Sequence, residues 1–337
     1  MSYVRRAVID VGTNSVKLLV AEVAGRDVRP LWEDSRQTRL GAGFYETHQL
    51  QPAAIAKTAA VVADFVETAR AEMAGTIRVI ATSAAREAVN PQELISAIES
   101  EAGLKVEIIS GEREADWAFQ GVTTEPALAS VSLLLLDVGG GSTEFILGHG
   151  EHQHFRQSFP LGTLRMLERN RPSDPPTAAE LAACRSGLRD FLETTVRPQL
   201  APALRREEEL HAAHQSVILV GTGGTTSILA RLEKELTEFN RDAIEATRLS
   251  RDRLRWHTER LWRLPLAERK QIIGMPPKRA DVILMGAAIY EAVLETFGFG
   301  ELRVSTRGLR FAALMDQASN RLTATTGALP FIGPKAR

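Results

Sequence analysis

Along the chain, strand-length apolar runs alternate with stretches whose apolar positions recur at helical spacing. Residues 6–10, 16–23 and 28–38 read as three strands, the last two joined by the turn Gly25-Arg26-Asp27. From Pro52 the positions Ile55, Ala59, Val62, Phe65, Val66 and Ala69 fall on one helical face, predicting a helix to about residue 73. A strand over 77–81, a helix over 91–102 and a strand over 106–109 follow. Four consecutive leucines, Leu133 to Leu136, predict a strand buried on both faces. It stops at Asp137 and three glycines before a second β-rich run begins, so the pattern is a hairpin. Residues 149–159 read as a further strand, and a helix begins over 161–165. After a break at 171–176, Thr177 caps a long helix with Leu181, Leu188, Phe191, Leu192 and Val196 inward. A buried strand over 217–220, an apolar helix over 279–296, a short strand over 302–304 and a helix opened by Arg307-Gly308-Leu309-Arg310 complete the pattern. Residues after about 320 read as a disordered or loosely attached tail.

The hairpin turn Asp137-Val138-Gly139-Gly140-Gly141-Ser142-Thr143-Glu144 has the composition of an oxyanion site. Glycines remove side chains from the turn, so backbone N–H groups and the Ser142 and Thr143 hydroxyls can surround a phosphate. Asp137 can face the same anion only across a cation, most simply Mg2+ with part of its water shell. A plain glycine turn is the competing reading. The N-terminus repeats the pattern: residues 9–20 align without a gap on 136–147, with Asp, Val, Gly and Ser matching in identity. That places Asp10, Gly12, Thr13, Asn14 and Ser15 opposite Asp137 and the turn that follows it. An internal duplication predicts two related halves whose turns converge on one cleft.

Three further stretches carry candidate chemistry. Residues 82–90 form a strand-to-helix corner that puts Arg86 one short turn beyond Thr82 and Ser83, as a phosphate contact or a surface ion pair. Ser110 or Gly111 caps a helix whose first turn holds Glu112 and Glu114. First-turn acids oppose the helix dipole, yet here the next strand leads to Asp137, so a carboxylate could orient and deprotonate a water. Gly221-Thr222-Gly223-Gly224-Thr225-Thr226, ahead of a helix, is a second N–H-lined anion or nucleotide contact, with Gly223 at its centre. The arginines from Arg241 to Arg263 alternate with acids and read as a solvated face, with a polyanion track as the alternative. His257 reads as a packing or surface histidine.

The chain of 337 residues suits two domains, and its net charge of −1 gives no global pull toward nucleic acid or membrane. A single cysteine, Cys184, and no signal-peptide or membrane-length apolar run predict a cytoplasmic protein. There is no GxxxxGK[ST], HExxH, paired CxxC or GxSxG, so P-loop, zincin, zinc-ribbon and ordinary α/β-hydrolase readings fall away.

Together these stretches resemble the exopolyphosphatase/guanosine pentaphosphate phosphohydrolase (Ppx/GppA) family, within the actin-like, sugar-kinase and chaperone ATPase superfamily. The carriers are residues 9–15, 81–90, 110–115, 137–144, 221–225 and 308–310; the Gly-Glu-x-Glu-Ala and Asp-x-Gly-Gly-Gly-Ser-Thr-Glu pair is the specific part. The resemblance implies an α/β chain of two ribonuclease-H-like domains around a central cleft. These would be residues 1–126, with a last helix over 306–320 packing back on them, and residues 127–305, leaving 321–337 as a tail. It implies hydrolysis of the terminal phosphoanhydride of inorganic polyphosphate, with pppGpp hydrolysis and a non-catalytic sensor as alternatives. Glu114 would be the catalytic base and Glu112 a lesser acid. Gly12, Thr13, Asn14, Ser15, Arg86, Gly139, Gly140, Gly141, Ser142, Thr143 and Gly223 would hold phosphate, and Asp10, Asp137 and Glu144 would hold Mg2+ or Mn2+. Nucleic acid and membrane are not expected as partners. The alanine- and leucine-rich helices, 279–296 among them, serve either a homodimer face or the core. Two departures stand out. The extra HD-type helical domains of long members have no room in this chain, and Phe311-Ala312 replaces a glycine after Gly308-Leu309-Arg310.

Overall fold

The computed structural model describes residues 2–211 and 216–316, so the expected tail lies outside the described residues. Five strands build the first sheet: β1 (Val4–Val11), β2 (Ser15–Ala24), β3 (Asp27–Gln37), β4 (Thr76–Ala81) and β5 (Val106–Ile108), in the order β3-β2-β1-β4-β5. The first three form an antiparallel meander, and β4 and β5 add in parallel. The second sheet contains β6 (Ser132–Val138), β7 (Thr143–His149), β8 (His152–Phe159), β9 (Ile218–Thr222), β10 (Arg248–Ser250) and β11 (Glu301–Val304). Its order is β10-β11-β9-β6-β7-β8, so β8-β7-β6-β9-β11 repeats the first sheet's topology and β10 adds an antiparallel edge. This is the architecture expected of two ribonuclease-H-like halves.

Three local readings change. Residues 149–159 are not one strand, because Gly150 adopts φ +61° and turns the chain so that His149 pairs with His152. The three-residue β10 was hidden in the arginine-rich stretch; its length leaves little periodicity to read. The apolar helix begins at Ile283, not at 279, because Pro276 and Pro277 open a 3-10 turn over Pro277–Arg279. Every residue from Ile283 to Leu294 is buried, so this helix belongs to the core of the second half.

The helix Gly111–Val122 lies between the two sheets. Its Ala115, Ala118, Phe119 and Val122 pack on Leu133, Leu135, Ile146 and Val220. Its Trp117 packs on the outer face of the first sheet with Leu309, Phe311 and Leu314 of the helix Leu309–Met315. Ser110 fixes the start of the Gly111–Val122 helix by accepting from the Arg113 amide at 3.1 Å.

The chain crosses between halves twice, after Val122 and again over 305–308. The crossings are pinned together: Arg307 donates to the Thr124 hydroxyl at 2.9 Å, and a Cβ on Gly121 would sit 1.9 Å from the Gly308 carbonyl oxygen. Beside them Glu125 accepts from Arg303, and Glu245 accepts from the Thr306 amide at 2.8 Å.

Candidate active site

The two aligned turns adopt one conformation. In the first, the Gly12 amide donates to the Ser15 carbonyl at 3.1 Å; in the second, the Gly139 amide donates to the Ser142 carbonyl at 2.9 Å. Each turn is gripped by the segment following the third strand of its half. Thr38 and Arg39 amides donate to the Asn14 carbonyl at 3.2 and 3.0 Å, and the Gly41 amide to the Thr13 carbonyl at 2.8 Å. In the second half the Thr163 amide donates to the Gly139 carbonyl, and those of Leu164 and Arg165 to the Gly140 carbonyl, at 2.9, 2.9 and 3.1 Å. The Arg165 side chain adds a bond from Nε to the Gly141 carbonyl at 2.8 Å. A trans peptide directs its N–H opposite to its carbonyl. Holding the carbonyls of 139, 140 and 141 therefore turns the N–H groups of Gly140, Gly141 and Ser142 the other way, as an oxyanion nest.

The turns also meet. A Cβ on Gly140 would lie 3.0 Å from Thr13 Cβ, and one on Gly141 would lie 2.4 Å from Ser83 Oγ and 2.5 Å from the Tyr45 hydroxyl. Glycine is required there by approach, not by φ. Gly223 has φ +91°, and a Cβ on it would lie 2.5 Å from Asp137 Oδ1.

Glu114 is buried one turn into its helix and accepts from Arg86 Nη1 at 2.8 Å; Arg86 also donates to the Ile109 carbonyl at 3.1 Å. Burial pushes Glu114 up to about 7; Arg86 opposes the shift, and Asp10 and Asp137 add to it. Glu144, 1 % exposed, accepts from Ser142 and Ser158 hydroxyls at 2.8 Å each. Burial, with Glu114 and Asp137 nearby, holds Glu144 well above the usual carboxylate range. Asp10 and Asp137 are raised by burial and partly offset by Lys17, which pairs with Asp10 across β1 and β2. The four carboxyl groups thus face one another electrostatically.

Such crowding of hard oxygens fits a divalent cation, and the buried Asp10 Oδ1 has no hydrogen-bond partner among the described residues. No three acidic, histidine or cysteine side chains among the described residues close into a metal cage. A cation here would keep water or substrate oxygens in much of its shell, as Mg2+ commonly does.

The structure brings together the residues of both turns, Arg86, Glu114, Asp137, Glu144 and Gly223. Glu112 instead lies exposed on the outer face of the helix, lining a cavity of about 700 Å3 with Arg26, Arg113 and Arg156. Two residues apart on a helix point to nearly opposite sides, so Glu112 and Glu114 cannot share the cleft. Several cationic neighbours escaped the sequence reading. Arg279, half-buried, donates to Ser15 Oγ at 2.9 Å, and Arg165 bonds Glu87 at 2.6 Å. The helix expected over 279–296 hides this position, because Arg279 lies in the 3-10 turn Pro277–Arg279 that precedes the helix. The arginines from Arg241 to Arg263 mostly pair with acids, such as Arg253 with Glu233 and Arg255 with Glu295, and His257 is buried against Glu233.

The sequence profile of the Ppx/GppA phosphatase family matches residues 19–321. The chain belongs to that family. Exopolyphosphatase 2 of Mycobacterium tuberculosis is 34% identical over 320 residues, covering 90% of this chain and 96% of that one. The guanosine-5'-triphosphate,3'-diphosphate pyrophosphatase of Photobacterium profundum is 29% identical over 93% of this chain, which spans 59% of that protein. Among solved structures, the Aquifex aeolicus PPX-GPPA enzyme aligns with TM-score 0.73 at 29% identity, over 93% of this chain and 99% of that one. An exopolyphosphatase from Cytophaga hutchinsonii aligns with TM-score 0.78 at 26% identity, over 92% and 96%. As a member of the Ppx/GppA phosphatases the chain is a phosphoanhydride hydrolase of actin-like fold. No described helix is long and apolar enough to cross a membrane.

Proposed function

We propose that the protein is an exopolyphosphatase that hydrolyses the terminal phosphoanhydride of inorganic polyphosphate and releases orthophosphate. One observation carries the reading: the buried Glu114 carboxyl, bonded to Arg86, interacts electrostatically with Asp137 and Glu144, which flank the turn whose carbonyls are gripped. The N–H groups of Gly140, Gly141 and Ser142, with the hydroxyls of Thr13 and Ser15, receive phosphoryl oxygens where negative charge develops, while the Ser142 and Thr143 hydroxyls are engaged by Glu144 and the Leu161 carbonyl. A Glu114 that titrates near 7 is ionised in a large fraction of molecules at neutral pH and still basic enough to accept a proton from water. Substrate phosphate competes for Arg86. When Arg86 turns toward phosphate, Glu114 loses the partner that lowers its affinity for a proton and becomes the stronger base. Asp10, Asp137 and Glu144 would hold Mg2+ or Mn2+, which when bound supplies Lewis-acid stabilisation of the phosphoryl oxygens.

A second reading, removal of the 5′-terminal phosphate of pppGpp, draws on the resemblance to the Photobacterium protein and uses the same residues. Phosphate release with Mg2+ from long-chain polyphosphate and from pppGpp, measured in parallel for the native protein and Glu114→Gln, separates them. Faster release from polyphosphate, lost in the variant, supports the exopolyphosphatase. Preference for pppGpp transfers the function to the nucleotide, and an unchanged variant rate removes Glu114 from the role of base.

A further inference from the structure

Arg165 makes three contacts that no other side chain of the cleft combines. Its Nε donates to the Gly141 carbonyl of the second half's turn at 2.8 Å, and its Nη2 donates to Glu87 Oε2 of the first half at 2.6 Å. Its guanidinium lies 4.1 Å from the ring centroid of Tyr45, also in the first half. Glu87 is fixed in turn by the Ser83 hydroxyl at 2.8 Å, and it directly follows Arg86, the partner of Glu114. Of the three carbonyls that set the nest, those of Gly139 and Gly140 are held by amides of their own half. The Gly141 carbonyl is held by a side chain that must also reach across the cleft.

From this we infer that Arg165 is a positioning residue that makes the direction of the Ser142 N–H depend on closure of the cleft. With the halves apart, Arg165 loses Glu87 and the Tyr45 face, and the 141–142 peptide loses the brace that aims its N–H at the oxyanion. With the halves together, the planar guanidinium fork satisfies a carbonyl and a carboxylate at once and locks turn and corner in one geometry. The nest is then complete only when Arg86 and Glu114 of the first half are also in place. Arg165 itself need not touch substrate.

The inference rests on the hydrolase reading above, and its test separates the two. Steady-state phosphate release from long-chain polyphosphate is measured for the native protein, Arg165→Ala, Arg165→Lys, Glu87→Gln and the double variant Arg165→Ala/Glu87→Gln, with thermal melting as a check of folding. Arg165→Ala is expected to lower kcat by about 10- to 100-fold, the scale of a small misplacement of aligned groups. KM should change much less, because the remaining nest still binds phosphate. Arg165→Lys should recover little of the loss, since one ammonium cannot reproduce the fork. Glu87→Gln should lower kcat, and the double variant should be no worse than Arg165→Ala, because both changes break one brace. A native protein that turns over beside an Arg165→Ala variant of equal kcat overturns the inference alone. So do single losses that multiply in the double variant, or a loss confined to KM or to melting temperature. A native protein that releases phosphate from neither polyphosphate nor pppGpp overturns the hydrolase reading, and this inference with it.

Discussion

Glu114 carries two opposing influences, burial raising its proton affinity and Arg86 lowering it. Below about 7 the carboxyl is protonated and cannot accept a proton from water, so kcat/KM should rise with pH through that region. Glu114→Gln should flatten this limb and lower the rate by about 10²- to 10⁴-fold. Removing the opposing charge with Arg86→Ala should move the acid limb to higher pH, as a pH profile of kcat/KM would record. At Asp10 and Asp137, each raised by burial, a bound divalent cation would offset the repulsion between carboxylates. Mg2+ should therefore raise the melting temperature of the native protein, and Asp137→Asn should remove most of that gain. Equal Mg2+ responses in a thermal-shift titration would place the cation elsewhere.

Among the elements, the helix Thr163–Asn170 depends on the glycine before it. A Cβ on Gly162 would lie 2.4 Å from both the Gly140 oxygen and the Gly141 carbonyl carbon. Gly162→Ala should push the helix start away from the turn and loosen the hold on the 139 and 140 carbonyls. An activity loss of about tenfold or more with little change in far-ultraviolet circular dichroism is the expected result. The same element shows what sequence makes visible. The two turns were legible because Asp-Val-Gly-x-x-Ser recurs, and their glycines and strand-end aspartates announce both shape and chemistry. Glu114 and Arg86 were legible as chemistry beside predicted strand ends, although their pairing was not. Arg165, Arg279 and Lys17 were not legible as site residues, because each gains its role from the opposite half or the opposite strand, and one arginine among many carries no local mark. Sequence alone did not separate Glu112 from Glu114 in one helical turn: positions two apart lie on nearly opposite sides of a helix, and Glu112 is the exposed one.

For the molecule as a whole, the crossings between halves add a pH-dependent contribution to stability. Glu125 lies within hydrogen-bond reach of Glu245, and its Oε2, like Glu245 Oε1, is buried without a partner among the described residues. Burial, then Glu245, pushes Glu125 up to about 7, against Arg303 and Arg307. The folded form thus holds a proton that the unfolded chain, with an ordinary glutamate near 4.5, gives up. Its contribution is complete below about 4.5 and is lost as pH rises through about 7. The difference in melting temperature between native protein and Glu125→Gln should vary over that window and level off above it; a constant difference would show that the pair holds no shared proton. The second crossing has another consequence. The helix Leu309–Met315 completes the outer face of the first sheet, covering Val8, Leu19 and Trp117. On the ribosome, all of β6 to β11 must be synthesised before that cover exists. At about 5–20 residues per second the wait is on the order of ten seconds or more. The nascent first half therefore presents an open apolar sheet face to the cell throughout that interval, while the second half, continuous in the chain, can close on its own core first.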